Sequence, residues 1–171
     1  MIIIEGMDNS GKTTLAKTLA SHYNWPLEHS PGYCSKMVDW AKSTLLIQGH
    51  RIYDRHPCIS EQVYGPILRD KDEFKTPEGG KVMKLFIKKS PLIIFCKPPD
   101  SVIVDDMGDQ MKGVKYNSFN LIMAYNRLMA YLKYWGLLVY DYDYTEHSEN
   151  GWVNLFAAIT YKEEERRELT W

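Results

Sequence analysis

Residues 6–13 read Gly-Met-Asp-Asn-Ser-Gly-Lys-Thr and match G-x-x-x-x-G-K-[ST], the pattern of a phosphate-binding loop. Residues 1–4 before the loop are apolar and include three isoleucines, which favour a buried parallel strand. Residues 14–20 after it have the composition of a helix. Strand, loop and helix therefore follow one another in the context in which this pattern binds phosphate.

The loop contains the residue types that a polyphosphate site needs. Gly6 and Gly11 allow tight turns, so that successive backbone N–H groups point inward at the helix N-terminus. Lys12 adds a full positive charge, and the Thr13 hydroxyl can join the ligands of a magnesium ion. The alternative is a glycine-rich turn with a solvated lysine, which would bind nothing.

The composition favours one globular domain, residues 1–171, with 44% hydrophobic residues. The net charge is −1, from 21 basic and 22 acidic residues, so a nucleic-acid partner is not expected, whereas small anionic ligands are compatible. Cys34, Cys58 and Cys96 have neither an even count nor a zinc-like spacing. With no secretory signal and no apolar run of about 18–20 residues, we expect a cytoplasmic protein without a membrane segment.

Apolar segments alternate with helical stretches along the chain, which predicts an α/β three-layer sandwich with a parallel sheet. We expect the P-loop NTPase type, with five strands in the order 2-3-1-4-5. The strands are predicted at 2–5, 25–29, 51–54, 92–96 and 137–140. The helices are predicted at about 11–23, 35–48, 58–70, 78–89, 117–135 and 149–166.

Ligands of open parallel sheets bind beyond the carboxyl ends of the strands. There, after the third strand, the sequence has Asp54 and Arg55. The carboxylate can hold magnesium through water or accept a proton, and the guanidinium can bind a phosphate through two hydrogen bonds. The alternative is a salt bridge within one loop.

The stretch E-G-M-D-N-S-G-K-T-T at 5–14 resembles the opening of thymidylate kinases, E-G-x-D-G-x-G-K-[ST]-T. Asp54-Arg55 followed by Ser60 is similar to the D-R-x signature of that family, and Ser30-Pro31-Gly32 is similar to its E-P-G turn. The likeness is greatest to small phage-encoded thymidylate or deoxynucleotide kinases.

The resemblance implies a deoxynucleoside monophosphate kinase with ATP and Mg²⁺ in the loop, and a host-cytoplasm location if the protein is phage-encoded. Lys12 and Thr13 would bind triphosphate and metal, and Asp54 would order the metal or its waters. Arg55 would hold the phosphate of the acceptor, which Asp8 would also face. The residues expected around ATP are Asp8, Asn9, Ser10, Gly11, Lys12, Thr13 and Thr14.

Members of that family usually place an arginine in the phosphate loop or in the lid that closes over it. This chain has no arginine at 7–10 and none between Arg69 and Arg127. Lys112 and Lys115, in a lid at about 100–117, are the candidates to replace it, with ordinary loop solubility as the alternative.

The resemblance does not indicate which base the acceptor carries, because only 21 residues separate the Ser30-Pro31-Gly32 turn from Asp54. This short stretch omits the segment that supplies base contacts in cellular thymidylate kinases, and the turn lacks the family's carboxylate. Glu61, Gln62 and Tyr64 are therefore expected to contact the acceptor, since they lie on the helix that leaves Asp54-Arg55. Other candidates for stacking or edge contacts are Tyr33, Trp40, Phe86, Asn117 and Asn120, with core packing as the alternative for each aromatic residue.

Three functions are compatible with these residues. The first is a deoxynucleoside monophosphate kinase, and the second is a kinase of a nucleoside or of a modified DNA base, in which Asp54 would be a general base. The third is a regulatory module that binds nucleotide without transfer, which the missing arginine favours. A homodimer is compatible with all three.

Overall fold

The computed structural model of the chain describes residues 1–34, 36–105, 113–146 and 149–168. Five strands run at β1 (Ile2–Glu5), β2 (Leu27–His29), β3 (Ile52–Asp54), β4 (Leu92–Cys96) and β5 (Val139–Tyr142). The helices are α1 (Lys12–Tyr23), α2 (Met37–Leu46), α3 (Pro57–Arg69), α4 (Pro77–Lys89), α5 (Asp100–Asp105), α6 (Ser118–Tyr134) and α7 (Glu149–Glu168). Short 3-10 turns occur at Glu73–Lys75 and Lys115–Asn117.

The five strands form one parallel sheet in the order β2-β3-β1-β4-β5, which confirms the predicted fold class and strand order. Ile4 is in register with Asp54 on one side and with Ile94 on the other, and His29 is in register with Asp54. The carboxyl ends of β1, β2 and β3 therefore meet at one edge of the sheet.

Helices cover both faces of the sheet, and the two-residue period of the strands determines which side chains each face buries. Ile3 belongs to the cluster under α2, α3, α4 and α6, whereas Ile2 and Ile4 belong to the cluster under α1 and α7. The buried face of α6 consists of Leu121, Ile122, Tyr125, Met129 and Leu132. No helix among the described residues is long and apolar enough to cross a membrane.

Three strands start later than predicted, β3 by one residue and β2 and β5 by two. Trp25 still belongs to the turn that ends α1, because its N–H donates to the carbonyl of Ala20. Leu137 likewise closes α6 by donating to Leu132, next to Gly136 with φ 80°, so β5 begins at Val139. The shift places Asp141 inside the strand and leaves residues 143–146 as the loop that follows it.

Candidate active site

The phosphate-binding loop connects β1 to α1 with backbone conformations that glycine allows. Gly6 has φ 146°, and a Cβ there would lie 2.5 Å from the carbonyl oxygen of Cys96. Gly11 has φ 80° and precedes α1 directly, so the unpaired N–H groups of the first helical turn adjoin the loop. The loop thus has the geometry that binds an anion at a helix N-terminus.

Lys12 folds back into this loop. Its ammonium donates to the carbonyl of Met7, and its Nζ lies 3.4 Å from the hydroxyl oxygen of Ser10. Burial and, after it, the positive charge of Arg55 lower the pKa of Lys12 to about 8. An anion bound in the loop would act in the opposite direction, because an opposite charge favours the ammonium.

Thr13 and Asp54 meet at the ends of α1 and β3. The Thr13 hydroxyl donates a 2.6 Å hydrogen bond to Asp54 Oδ2, and His29 Nδ1 lies 3.2 Å from the same oxygen. A hydroxyl and a carboxylate are the hard oxygen ligands that Mg²⁺ takes from proteins, usually beside several waters and substrate phosphates. The two residues present therefore fit this ion.

Arg55 is paired with Asp8 of the phosphate loop. Its backbone has φ 69°, a left-handed conformation that is uncommon outside glycine, and its N–H donates to the carbonyl of Ile4 at 2.9 Å. The guanidinium donates to Asp8 Oδ1 and lies 5.0 Å from the centre of the Tyr64 ring. The Tyr64 hydroxyl in turn lies 3.4 Å from Asp8 Oδ2. The Arg55 side chain is thus held against the loop rather than released to solvent.

The carboxyl group of Glu5 is buried and bonds to His56, the residue that follows Arg55. Glu5 is fully buried and accepts hydrogen bonds from the His56 N–H at 2.7 Å and from the Tyr125 hydroxyl at 3.2 Å. Burial raises the pKa of Glu5 to about 7, although Arg55, the His56 N–H, Lys12 and Tyr125 act to lower it. Glu5 therefore connects β1 with the residues that begin α3.

A cavity of about 260 Å³ lies on the outer side of the phosphate loop. Gly11 and Thr14 form one wall, and Tyr142, Tyr144 and Trp152 supply aromatic surface. Tyr144 packs so closely that a Cβ on Gly11 would lie 2.9 Å from its Cδ1. Sequence reasoning missed these aromatic residues; the signal available was three of them within 142–152, just beyond the last strand.

A second cavity of about 200 Å³ lies on the opposite side of the loop. Five predicted residues line it: Asp8, Tyr33, Arg55, Glu61 and Tyr64. The turn Ser30-Pro31-Gly32 and Tyr33 line it from the end of β2, as Arg69 does from the end of α3. Arg69 was not among the predicted site residues.

Gln62 is separated from the second cavity. Its amide donates to the carbonyl of Cys58 at 2.5 Å and lies 3.5 Å from Met83 Sδ, on α4. Consecutive residues of a helix point about 100° apart, so Glu61 faces the cavity and Gln62 does not. The expectation that both contact the acceptor is thereby corrected.

The remaining candidates are dispersed. Phe86 is fully buried in the core, and Trp40 packs against that core. The Asn117 amide donates to the Gly113 carbonyl at 2.9 Å, and Asn120 is exposed. Lys115 is exposed in the 3-10 turn before α6. Lys112, like much of the predicted lid, falls outside the described residues.

No family model and no curated protein matches the chain. Among solved structures, the YorR protein of Bacillus subtilis, in complex with phosphorylated GDP, has a TM-score of 0.74 and 20% identity, covering 96% of this chain and 97% of its own. Deoxyadenosine kinase from M. mycoides with bound dCTP has a TM-score of 0.60 and 14% identity, covering 95% and 100%. Thymidylate kinase from Candida albicans has a TM-score of 0.55 and 13% identity, covering 95% and 91%. At these identities the similarity establishes the fold, which the chain shares with P-loop kinases of nucleosides and nucleotides.

Proposed function

We propose that this protein transfers the γ-phosphoryl group of ATP to a deoxynucleoside monophosphate. The observation that carries the proposal is that one phosphate-binding loop contributes to two separate cavities, Gly11 to the first and Asp8 to the second. One cavity is walled by Gly11 and aromatic rings, and the other contains Arg55. A protein that only bound ATP would have no use for the second cavity.

The donor would lie along the loop. Its base would pack against Tyr144 and Trp152, and its phosphates would meet the N–H groups at the start of α1 and the Lys12 ammonium. Asp8, Asn9, Ser10 and Thr14 complete the expected donor contacts. Thr13 and Asp54 would hold Mg²⁺, which when bound neutralises charge on the transferring phosphates.

The acceptor would occupy the second cavity with its phosphate at Arg55. Because the guanidinium binds two phosphate oxygens at once, it would both hold and orient the attacking oxygen. A phosphate monoester has an ionised oxygen at neutral pH, so its attack needs no base to remove a proton. Lys115 and Lys112 remain the proposed cations for the charge that develops on the γ-phosphate.

A second candidate is a nucleoside kinase, and the Asp8–Arg55 pair favours it. Arg55 is already neutralised by a carboxylate, and Asp8 faces the cavity where it could accept a proton from an attacking hydroxyl. The structural neighbours include kinases named for each acceptor type, deoxyadenosine and thymidylate. Their similarity therefore does not choose between the two acceptors.

The test is a panel of the four deoxynucleoside monophosphates and the four deoxynucleosides, each incubated with ATP and Mg²⁺ and resolved by anion exchange. Diphosphate products from monophosphates support the first proposal, and monophosphate products from nucleosides support the second. If calorimetry shows ATP binding but a single-turnover assay gives no product, the remaining interpretation is a regulatory nucleotide-binding module. The homodimer stays a prediction that sedimentation can check.

A further inference from the structure

Helix α3 gives the second cavity two chemically different ends. The helix begins at Pro57, beside Arg55, and ends at Arg69. Arg55 precedes the helix and contacts Asp8 and Tyr64, whereas the Arg69 side chain extends back from the end of the helix to Glu61. If the acceptor phosphate lies at Arg55, as the proposed function requires, the rest of the acceptor extends toward Arg69.

The Arg69 end is built from an ion pair that is largely removed from water. Arg69 Nη2 donates to Glu61 Oε2 at 2.5 Å, and the two side chains are only 20% and 7% exposed. Both residues line the cavity. Within the part of the chain that the structure describes, Arg69 Nε is buried and has no hydrogen-bond partner. This nitrogen is closed to a ligand, so the part of Arg69 that can contact one is the exposed fifth of its side chain.

Tyr33 fixes the position of the guanidinium. Arg69 Cζ lies 4.4 Å from the centre of the Tyr33 ring, within the range of a cation–π contact. The Tyr33 hydroxyl is held by Glu73 at 3.2 Å and by Lys71 at 3.3 Å. Tyr33 lies in the loop after β2, whereas Lys71 and Glu73 lie in the turn after α3. These contacts therefore connect the two walls of the cavity.

We propose that Glu61 and Arg69 read the base of the acceptor and select bases that carry an exocyclic amino group. An ionised carboxylate only accepts hydrogen bonds, and a guanidinium only donates them. Cytosine and adenine present an amino donor beside a ring-nitrogen acceptor, and guanine presents two donors beside a carbonyl. Each edge can pair with Glu61 and Arg69 together. This inference rests on the proposed function for the direction in which the acceptor lies.

Thymine and uracil fit the pair less well. Their one N–H lies between two carbonyl oxygens, so bringing it to Glu61 also brings a carbonyl oxygen toward the carboxylate. Leaving a buried polar group without a partner costs more free energy than a hydrogen bond contributes. The pair should therefore bind amino-bearing bases better than thymine or uracil. The inference therefore departs from the thymidylate-like acceptor that the sequence resemblance implies.

The test compares kcat/KM for dCMP, dAMP, dGMP and dTMP between the wild type and Glu61→Gln. In the wild type the best amino-bearing substrate should exceed dTMP by about 100-fold. In Glu61→Gln the ratio should fall to within about tenfold, since the amide nitrogen can donate to a thymine carbonyl. Glu78→Gln is the matched control: it removes an exposed carboxylate that pairs with Lys42 and Lys81 away from the cavity, and the ratio should stay within about twofold of the wild type.

Preference of the wild type for dTMP would overturn the inference. So would an equal loss for all four substrates in Glu61→Gln, because that result indicates a structural role. Binding of the same four monophosphates without ATP is measured in parallel by calorimetry. If none is phosphorylated but binding follows the amino group in a Glu61-dependent way, the proposed function fails and the base-reading pair stands. Absence of binding by all four would reject the pair as well.

Discussion

The Thr13 hydroxyl donates to Asp54 Oδ2 at 2.6 Å, although the two residues are 41 positions apart in the chain. The contact joins the first turn of α1, which follows the phosphate-binding loop, to the end of β3, the strand beside β1. The hydroxyl and the carboxylate that are proposed to hold Mg²⁺ are thereby within one hydrogen bond of each other.

Replacing Asp54 with Asn should lower kcat by about 100- to 1000-fold, because the amide cannot supply the negative charge that holds the metal. The measurement is steady-state turnover across a Mg²⁺ titration. Thr13→Ser keeps the hydroxyl and should retain most of the activity. Equal loss in the two variants would argue against a metal-binding role for this pair.

Arg55→Ala should raise KM for a monophosphate acceptor by about 10- to 100-fold and change KM for ATP little, because a charged hydrogen bond to the acceptor alone is lost. Initial rates with each substrate varied in turn give both constants. Arg51→Ala is the control, since Arg51 precedes β3 at the other edge of the sheet and pairs with Glu28. An unchanged acceptor KM in Arg55→Ala would favour the nucleoside kinase.

Tyr144→Ala should weaken ATP binding by about tenfold, the usual loss when an aromatic ring that stacks on a base is truncated. Tyr144 packs against Gly11 at the mouth of the first cavity, so the acceptor constants should not move. Calorimetric titration with a non-hydrolysable ATP analogue measures the effect. Tyr134→Ala, which removes a ring that is 86% exposed at the end of α6, should bind like the wild type.

Gly6→Ala should destabilise the fold by at least about 2 kcal/mol, because φ 146° is strained for alanine and the new methyl group meets the carbonyl oxygen of Cys96. Urea denaturation followed by circular dichroism gives the free energy of unfolding. Gly80→Ala lies inside α4 with open space around it and should stabilise by about 0.5–1 kcal/mol. Similar stability in the two variants would contradict the geometry of the loop.

His56 should make the free energy of unfolding depend on pH. Burial lowers the pKa of His56 to about 3, so between pH 6.5 and 3 the unfolded chain binds a proton that the folded chain does not. The free energy of unfolding therefore falls as pH falls, by about 1.4 kcal/mol per pH unit from this group. Above pH 6.5 the contribution is fully present.

His56→Asn isolates that dependence. Asparagine is a good N-cap and can replace the ring nitrogen that accepts from the Cys58 N–H at 3.2 Å. Denaturation at several pH values between 7.5 and 5 should give a smaller slope for the variant. Glu5 titrates in this range in both proteins, so the difference between their slopes belongs to His56. Parallel slopes would show that His56 is not held neutral.

The positions of the phosphate loop and of the Asp54-Arg55 pair could be predicted because they depend on local order in the chain. Each follows a strand of the sheet directly, and the parallel topology brings the strand ends together. The sequence pattern and the parallel sheet are sufficient for that prediction.

Arg69 and Tyr144 could not be predicted because their positions depend on other elements. Arg69 enters the cavity only because its side chain extends back to Glu61, eight positions earlier, and stacks on Tyr33 from another loop. Tyr144 reaches Gly11 from the loop after β5, and the start of that strand depends on how α6 ends. Gln62 does not line the second cavity because α3 is oriented on the core with Ile59 and Val63 buried.

The two cavities draw on separate stretches of the chain. Apart from the loop itself, the first uses residues of α1 with Tyr142, Tyr144 and Trp152, and the second uses residues 30–33, Met37 and residues within 55–69. Substitutions that alter one set need not disturb the other. For the proposed kinase, the acceptor range could then change by exchange of residues 30–37 and 55–69 while the donor stayed the same, in laboratory chimaeras as in natural divergence.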